Sequence, residues 1–362
     1  MTEGFLSRRQ FVMGSAALGV AGVLGVMSGC TASGSGTAAS AGGAQAASGG
    51  EGDALTMVWL PDNSSADLTA SREAVGAAIT AACGRKAELL TTTDYNVAIE
   101  AIASGQAQMA LLGAEGYVQA NKKNPAVQAA FTNSDEDGKL DGACYYSRIC
   151  VRAEDADQYK SGGGYSLDNV KGKSFSFVSA TSTSGFKVPS SAVVEHFGLE
   201  SSDELLEAGG FFSEVLFGNS HQGSAVNLLS GDADAAAFDD VDVDMYLDLV
   251  SGEANTVGAV YKAKDDADAP FDAVRGKEFV IVAITPVLNA PICFNEDAIS
   301  EEDRTSIVEY FCSDAVANDS SIFVDPEDEN AKGIFEKSSA ETRFVEVDDA
   351  WYDPIRELGG VA

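Results

Sequence analysis

Twice along this chain a strand pattern and a helix pattern alternate in the same order, and that repeated rhythm restricts the fold more than any other feature. Leu55 to Leu60 reads as a buried strand, and Leu68, Val75, Ile79 and Ala82 then mark one face of a helix that Gly84 stops. Ala87 to Thr91 is the next strand. A second helix follows from about Tyr95, with Ala98, Ile99 and Ile102 on one face, and after Gly105 comes the strand Gln108 to Leu112. This βαβαβ order implies an α/β fold built on a parallel sheet flanked by helices, with ligands at the carboxyl ends of the strands. The rhythm restarts with strand Ser174 to Val178, helix Phe186 to Phe197, strand Glu214 to Phe217, helix Gly223 to Leu229 and strand Ala233 to Phe238. Tyr145 to Val151 and Phe279 to Ile284 read as extended connectors between the two halves. Two connectors predict two lobes on a hinge, each a mainly parallel sheet: residues 52–150 with 285–362, and residues 151–284. Past Asn289 the pattern predicts a short strand around Ile292, then one helix from Glu301 to Ala317 with Ile307, Val308, Phe311 and Val316 as its apolar stripe. The acidic run Asp325 to Asn330 reads as loop.

The amino terminus reads as an export signal. Ser7-Arg8-Arg9-Gln10-Phe11 fits a twin-arginine pattern, and the apolar stretch behind it ends at Ser28-Gly29-Cys30, which fits a lipoprotein signal. Residues 1–29 are then removed and Cys30 carries the lipid. A transmembrane anchor is disfavoured, because the apolar run holds five glycines, is barely long enough to span a bilayer, and ends on Ser-Gly-Cys. Residues 30–51 are nearly all Gly, Ala, Ser and Thr after the cysteine, a composition that buries too little apolar surface to order itself, and they read as a tether from the membrane.

A net charge of -33 disfavours nucleic acid and anionic membrane faces as partners. It does not exclude an anionic ligand, because salt screens surface fields over roughly 8 Å while an enclosed pocket makes its own field. Apart from Cys30 there are five cysteines, an odd number without CxxC spacing, so no disulfide framework is legible and buried thiols are the favoured reading. With only His196 and His221 as histidines, neither a zinc site nor any other metal or cofactor is expected.

The most informative segment opens the second half: Ser179-Ala180-Thr181-Ser182-Thr183-Ser184-Gly185-Phe186-Lys187. Backbone N–H groups at a helix start lack intrahelical acceptors, and with the macrodipole they hold an oxyanion without any formal cation. Hydroxyls add further donors. Alone, such a run is an ordinary N-cap. Its company raises its weight, because Ser220-His221 occupies the next strand-to-helix turn and Phe238-Asp239-Asp240 ends the next strand, turns that a parallel sheet places on one edge. A neutral His221 can donate to an oxyanion or accept from a protonated one, and Asp239 can accept from a P–OH group. Cap and surface readings of His221, Asp239 and Asp240 stay open from spacing alone.

At these residues the chain resembles the phosphonate-type periplasmic substrate-binding proteins of ABC importers. The resemblance rests on Asp94-Tyr95, Gln108 to Tyr117, the Ser182-Thr183-Ser184-Gly185 loop, the Ser220-His221 turn and Gly231-Asp232-Ala233-Asp234-Ala235-Ala236, and spans nearly all of Leu55 to Ala317. It implies a two-lobed Venus-flytrap fold of the type II periplasmic binding proteins. It also implies no enzymatic activity, and capture of a small phosphorus oxyanion (phosphonate, phosphite or phosphate) for an ABC permease. By position it assigns Tyr95, Tyr117, Ser182, Thr183, Ser184 and His221 to the ligand, with one of Asp239, Asp240 or Asp242. The protein is then an extracytoplasmic, lipid-anchored monomer. One departure is Ala290, where relatives that bind aminoalkylphosphonates carry an acid before a proline. A ligand ammonium would lack that partner, which favours phosphite, methylphosphonate or phosphate. Two rivals remain: a sensory or adaptor lipoprotein using the same flytrap, and a serine hydrolase using Ser184, His221 and Asp239. The loop is no GxSxG elbow, and the order differs from that fold's Ser, Asp, His.

Overall fold

The computed structural model describes residues 54–326, 328 and 332–358; the expected signal, the Cys30 lipidation site and the 30–51 tether lie outside the described residues. The first half runs β1 (Leu55–Trp59), α1 (Thr69–Cys83), β2 (Ala87–Thr91), α2 (Tyr95–Ala103), β3 (Met109–Leu111), α3 (Ala114–Lys123) and β4 (Val127–Asn133). β1 pairs in parallel with both β2 and β3, as the alternation predicts. α1 ends where Gly84 takes φ 75°, a left-handed conformation that costs glycine nothing. Asp94 starts α2 by accepting from the Asn96 N–H at 2.7 Å.

The chain then crosses by β5 (Cys144–Arg152) into β6 (Ser174–Phe177), α4 (Val188–Phe197), β7 (Glu214–Phe217), α5 (His221–Ser230), β8 (Ala235–Asp239), β9 (Leu247–Ser251) and β10 (Val260–Ala263). It returns by β11 (Glu278–Leu288) to β12 (Ile292–Asn295), α6 (Glu301–Phe311), α7 (Asp314–Ala317), β13 (Phe344–Glu346) and α8 (Asp353–Glu357). The two crossing strands, β5 and β11, pair with each other from Phe279↔Arg152 to Leu288↔Cys144. One sheet has the order β13-β4-β12-β3-β1-β2 and the other β9-β10-β11-β5-β8-β6-β7.

Each sheet has a core on both faces. α1 and α6 cover one face of the first sheet with Val75, Ile79, Ile307 and Phe311, while Ile99, Ile102 and Tyr117 cover the other. In the second sheet β8 alternates with period two, Ala235 and Ala237 facing one cluster, Ala236 and Phe238 the opposite one. Phe175, Phe177 and Phe212 are fully buried there, and each contributes about 1.5–3 kcal/mol of transfer free energy.

Two expectations are corrected. The sheets are mixed rather than mainly parallel: only the site-bearing trios β2-β1-β3 and β8-β6-β7 are parallel, because the crossing strands and the late edge strands return antiparallel. The helix expected over Glu301 to Ala317 divides in two at Ser313, which is extended at ψ 161°, and this redirects Val316 into the core beside Phe311.

Candidate functional site

Parallel pairing brings the carboxyl ends of six strands to one cleft, three from each sheet. Helix starts follow them, so backbone donors and short side chains converge there. They enclose a cavity of about 90 Å³. Of the residues singled out from sequence, Tyr95, Ser182, Thr183, Ser184, His221 and Asp239 line it.

The hydroxyl loop follows β6. Ser182 Oγ accepts from the Gly185 N–H at 3.1 Å, and Thr183–Lys187 then form one π-helical turn before α4. Gly185 is required here, since a Cβ would lie 2.3 Å from Val178 Cβ. Threading Ser184 between two partners, Tyr145 donates to Ser184 Oγ at 3.1 Å and Ser184 donates to Asp239 Oδ2 at 3.1 Å.

His221 is the first residue of α5. Its Nδ1 accepts from the Asp239 N–H at 3.0 Å, so the neutral ring carries its proton on Nε2. Nε2 faces Asp239 Oδ2 at 3.3 Å, Ser182 Oγ at 3.4 Å and Ser184 Oγ at 3.5 Å. The ring is therefore oriented as a donor toward the cavity.

Three carboxylates also line the cavity: Asp62, Asp239 and Asp242. Burial pushes the Asp239 carboxyl up to about 6; His221 opposes that rise, and Asp240 and Asp62 add to it. Burial raises Asp242 as well, with the Asp239 charge next in weight. Asp240 turns away, accepting from the Tyr146 N–H at 2.9 Å and from Asn255 Nδ2 at 2.8 Å, which removes it from the three candidates for the acid. Among the described residues lining the cavity none is Lys or Arg. Asp62, His221 and Asp242 offer ligand atoms within 4.8 Å of one another, the spacing of a cation site. Both Asp62 oxygens and His221 Nδ1 nevertheless already accept hydrogen bonds.

Tyr117 is corrected. Expected to close over the ligand, it is fully buried in the first sheet's core, donates to Asp349 Oδ1 at 2.6 Å and packs on Tyr352 at 5.1 Å. At one turn past the start of α3 its side chain faces the helix's core side. The tyrosine that joins Tyr95 in the cavity is Tyr145, from crossing strand β5. Asp62, Asn63, Asn133 and Asn289 also line the cavity and were not foreseen. Only Asp62 carried a readable signal, an acid just past the first parallel strand.

A two-lobed binding fold with a small, donor-rich cavity between two sheets defines a solute-binding protein. Residues 57–352 match the family described as ABC transporter, phosphonate, periplasmic substrate-binding protein, and the chain belongs to that family. The phosphate-import protein PhnD of Mycolicibacterium smegmatis is 27% identical over 224 residues, covering 59% of this chain and 67% of that protein. Among solved structures, PhnD1 of Prochlorococcus marinus in complex with methylphosphonate aligns with a TM-score of 0.60 at 18% identity, covering 85% of this chain and 97% of that one. The binding component of an ABC phosphonate transporter from Pseudomonas aeruginosa aligns at 0.59 and 17%, covering 85% and 86%. The protein is thus the phosphonate-type substrate-binding component of an ABC importer, which implies a small ligand and a permease as its partners and an extracytoplasmic place of work. No helix among the described residues is long and apolar enough to cross a membrane.

Proposed function

We propose that the cavity captures a small phosphorus oxyanion with an uncharged substituent, phosphite, methylphosphonate or phosphate, by closure of the lobes. The observation that carries this reading is the joint presence of donors and acceptors around one 90 Å³ space. Ser182, Thr183 and His221 Nε2 supply donors for P–O oxygens, Ser184 joins them when its hydroxyl turns from Asp239 to the ligand, and Asp239 then accepts from a P–OH. Leu60, Leu111, Ala290 and Val241 line the same space and suit a P–H or P–CH3 group. With Ala290 rather than an acid at that wall, an ammonium tail has no partner there.

The paired strands β5 and β11 act as the hinge between lobe one, residues 52–150 and 285–362, and lobe two, residues 151–284. Lipidation of Cys30 after twin-arginine export and the 30–51 tether hold the protein, as a monomer, at the outer face of the membrane within reach of its permease. Catalysis is not part of the function. A Ser184 hydrolase would need His221 Nε2 unprotonated to take the serine proton, whereas Nδ1 accepts from the Asp239 N–H and keeps the proton on Nε2.

Calorimetric titration with phosphite, methylphosphonate, phosphate, aminoethylphosphonate and sulfate tests the reading. A phosphorus oxyanion with an uncharged substituent binds best and sulfate, which has no proton to give Asp239, binds far more weakly. Equal affinity for sulfate and all the phosphorus oxyanions would sink the assignment.

A further inference from the structure

Asp62 belongs to no part of the clamp that holds an oxyanion, yet it is only 2% exposed and lacks a Lys or Arg partner among its hydrogen bonds. It follows β1 in lobe one. Its Oδ1 accepts at 2.7 Å from the His221 N–H, the first amide of α5 in lobe two, and its Oδ2 accepts from the Tyr95 hydroxyl. Gln222, the next residue of α5, donates to the Asp62 carbonyl at 3.3 Å and to the Asp242 carbonyl at 2.9 Å. The neighbouring Asn63 donates across the cleft to Asp242 Oδ1 at 3.3 Å.

An anion at a helix N-terminus is favoured by unpaired N–H groups and by the dipole. Here the helix is in one lobe and the anion in the other. The carboxylate therefore gains those partners only when the lobes meet. Tyr95, a residue of its own lobe, holds the second oxygen so that the first points across the cleft.

From this geometry we infer that Asp62 is a positioning residue for closure: an intramolecular anion that caps α5 of the opposite lobe and so raises the closed population on which ligand affinity depends. The inference rests on the reading of the cavity as the ligand site. Apparent affinity scales with the fraction of molecules in the binding-competent state, so loss of the cap weakens binding through that fraction. A hydrogen bond to a charged group has a net value that corresponds to about a ten- to hundredfold change in that equilibrium.

The test is hydrogen exchange of individual amides in the ligand-free full chain, beside phosphite titration, for the wild type, Asp62→Ala and Asp62→Asn. The informative amide is Glu115, which donates to Thr183 Oγ1 across the cleft at 2.9 Å and does not touch Asp62. In Asp62→Ala the Glu115 amide exchanges about ten- to hundredfold faster, while Val280, in the β5–β11 ladder, is unchanged. Asp62→Asn keeps an acceptor for the His221 N–H and falls between the two. Phosphite dissociates faster from Asp62→Ala by a similar factor. Unchanged Glu115 exchange, equal acceleration at Val280, or tighter phosphite binding in Asp62→Ala would overturn the inference. Failure of the wild type to bind any phosphorus oxyanion overturns the ligand reading instead, and the exchange measurement still decides the role of Asp62.

Discussion

Replacing Asp239 with Asn should stabilise the ligand-free protein near neutral pH while impairing its selectivity, and the structure sets the size of the first effect. The Asp239 carboxyl is raised from its ordinary 3.8 to about 6, chiefly by burial. That displacement corresponds to about 3 kcal/mol. The folded state holds the proton more tightly than the unfolded chain, so below about pH 4 both are protonated and nothing is lost. As pH rises toward 6 the unfolded carboxyl ionises freely and the folded one does not, and stability falls by up to that amount. Asn carries no such penalty, but it has only one acceptor oxygen where Asp239 serves the Asp242 N–H at 3.1 Å on one side and Ser184 and His221 on the other. Either orientation leaves a donor unpaired, at a cost of about 1–2 kcal/mol. The net gain at pH 7.5 is then about 1–2 kcal/mol, and by pH 4, where the ionisation penalty is gone and only the unpaired donor remains, it turns into a loss of about 1–2 kcal/mol. Urea unfolding of both proteins from pH 4 to 8, read as their difference so that the carboxylates remote from Asp239 cancel, measures it. The same variant narrows the preference for phosphorus oxyanions over sulfate, since the amide can donate. A stability difference that does not vary with pH, or an Asn variant weaker at every pH, would refute the claim that this carboxylate is held in the site against its own ionisation.

Three further outcomes follow from single features. A Cβ on Gly113 would lie 2.9 Å from Thr183 Oγ1 across the cleft, so Gly113→Ala should obstruct closure and speed ligand release about tenfold or more, checked by stopped-flow dissociation with thermal stability as the control. Ser182→Ala with Thr183→Val removes two hydroxyls from a desolvated site and should weaken the best ligand about thirtyfold or more by calorimetry, at about 1–3 kcal/mol for each donor. Cys30→Ala should move the exported protein from the detergent phase to the aqueous phase, and retention in detergent would contradict the lipid anchor.

What was legible in the sequence was the part written in local pattern. β1, β2 and β7 are short apolar runs bounded by turn signals, and Gly84 and Gly231 end helices in left-handed conformations that their neighbours cannot adopt cheaply. The place of the hydroxyl loop was legible for the same reason, since Ser182, Thr183 and Ser184 sit where a strand must turn into a helix. β4 and β13 were missed because they form edge-side pairs between distant segments, Phe344↔Asn133 among them, that no local period announces. Tyr117 was misplaced because a tyrosine near a strand end looks the same in sequence whether its helix turns it to the cleft or to the core. Tyr145 and Asp62 were missed because their roles come from tertiary contact: one sits on a strand that reads as a connector, the other in a Pro-Asp-Asn-Ser stretch that reads as a turn.

The site's chemistry explains how so acidic a protein can take up an anion. With two buried carboxylates, a half-buried third and, among the described residues, no cationic side chain in its lining, the cavity does not attract negative charge as such. It offers a set of donors, Ser182, Thr183, Ser184 and the Nε2–H of His221, beside Asp239 and Asp242, which pay a desolvation penalty while they stay ionised. On the proposed reading, an oxyanion bearing its own hydroxyl satisfies both sets at once. Sulfate satisfies only the donors and leaves Asp239 facing another negative charge. Selection therefore falls on the proton that the ligand carries. Because Asp239 and His221 are locked to each other through Nδ1, the ring cannot invert to become an acceptor without giving up the Asp239 N–H. On that reading the lock fixes which positions around the ligand are oxygen and which hydroxyl.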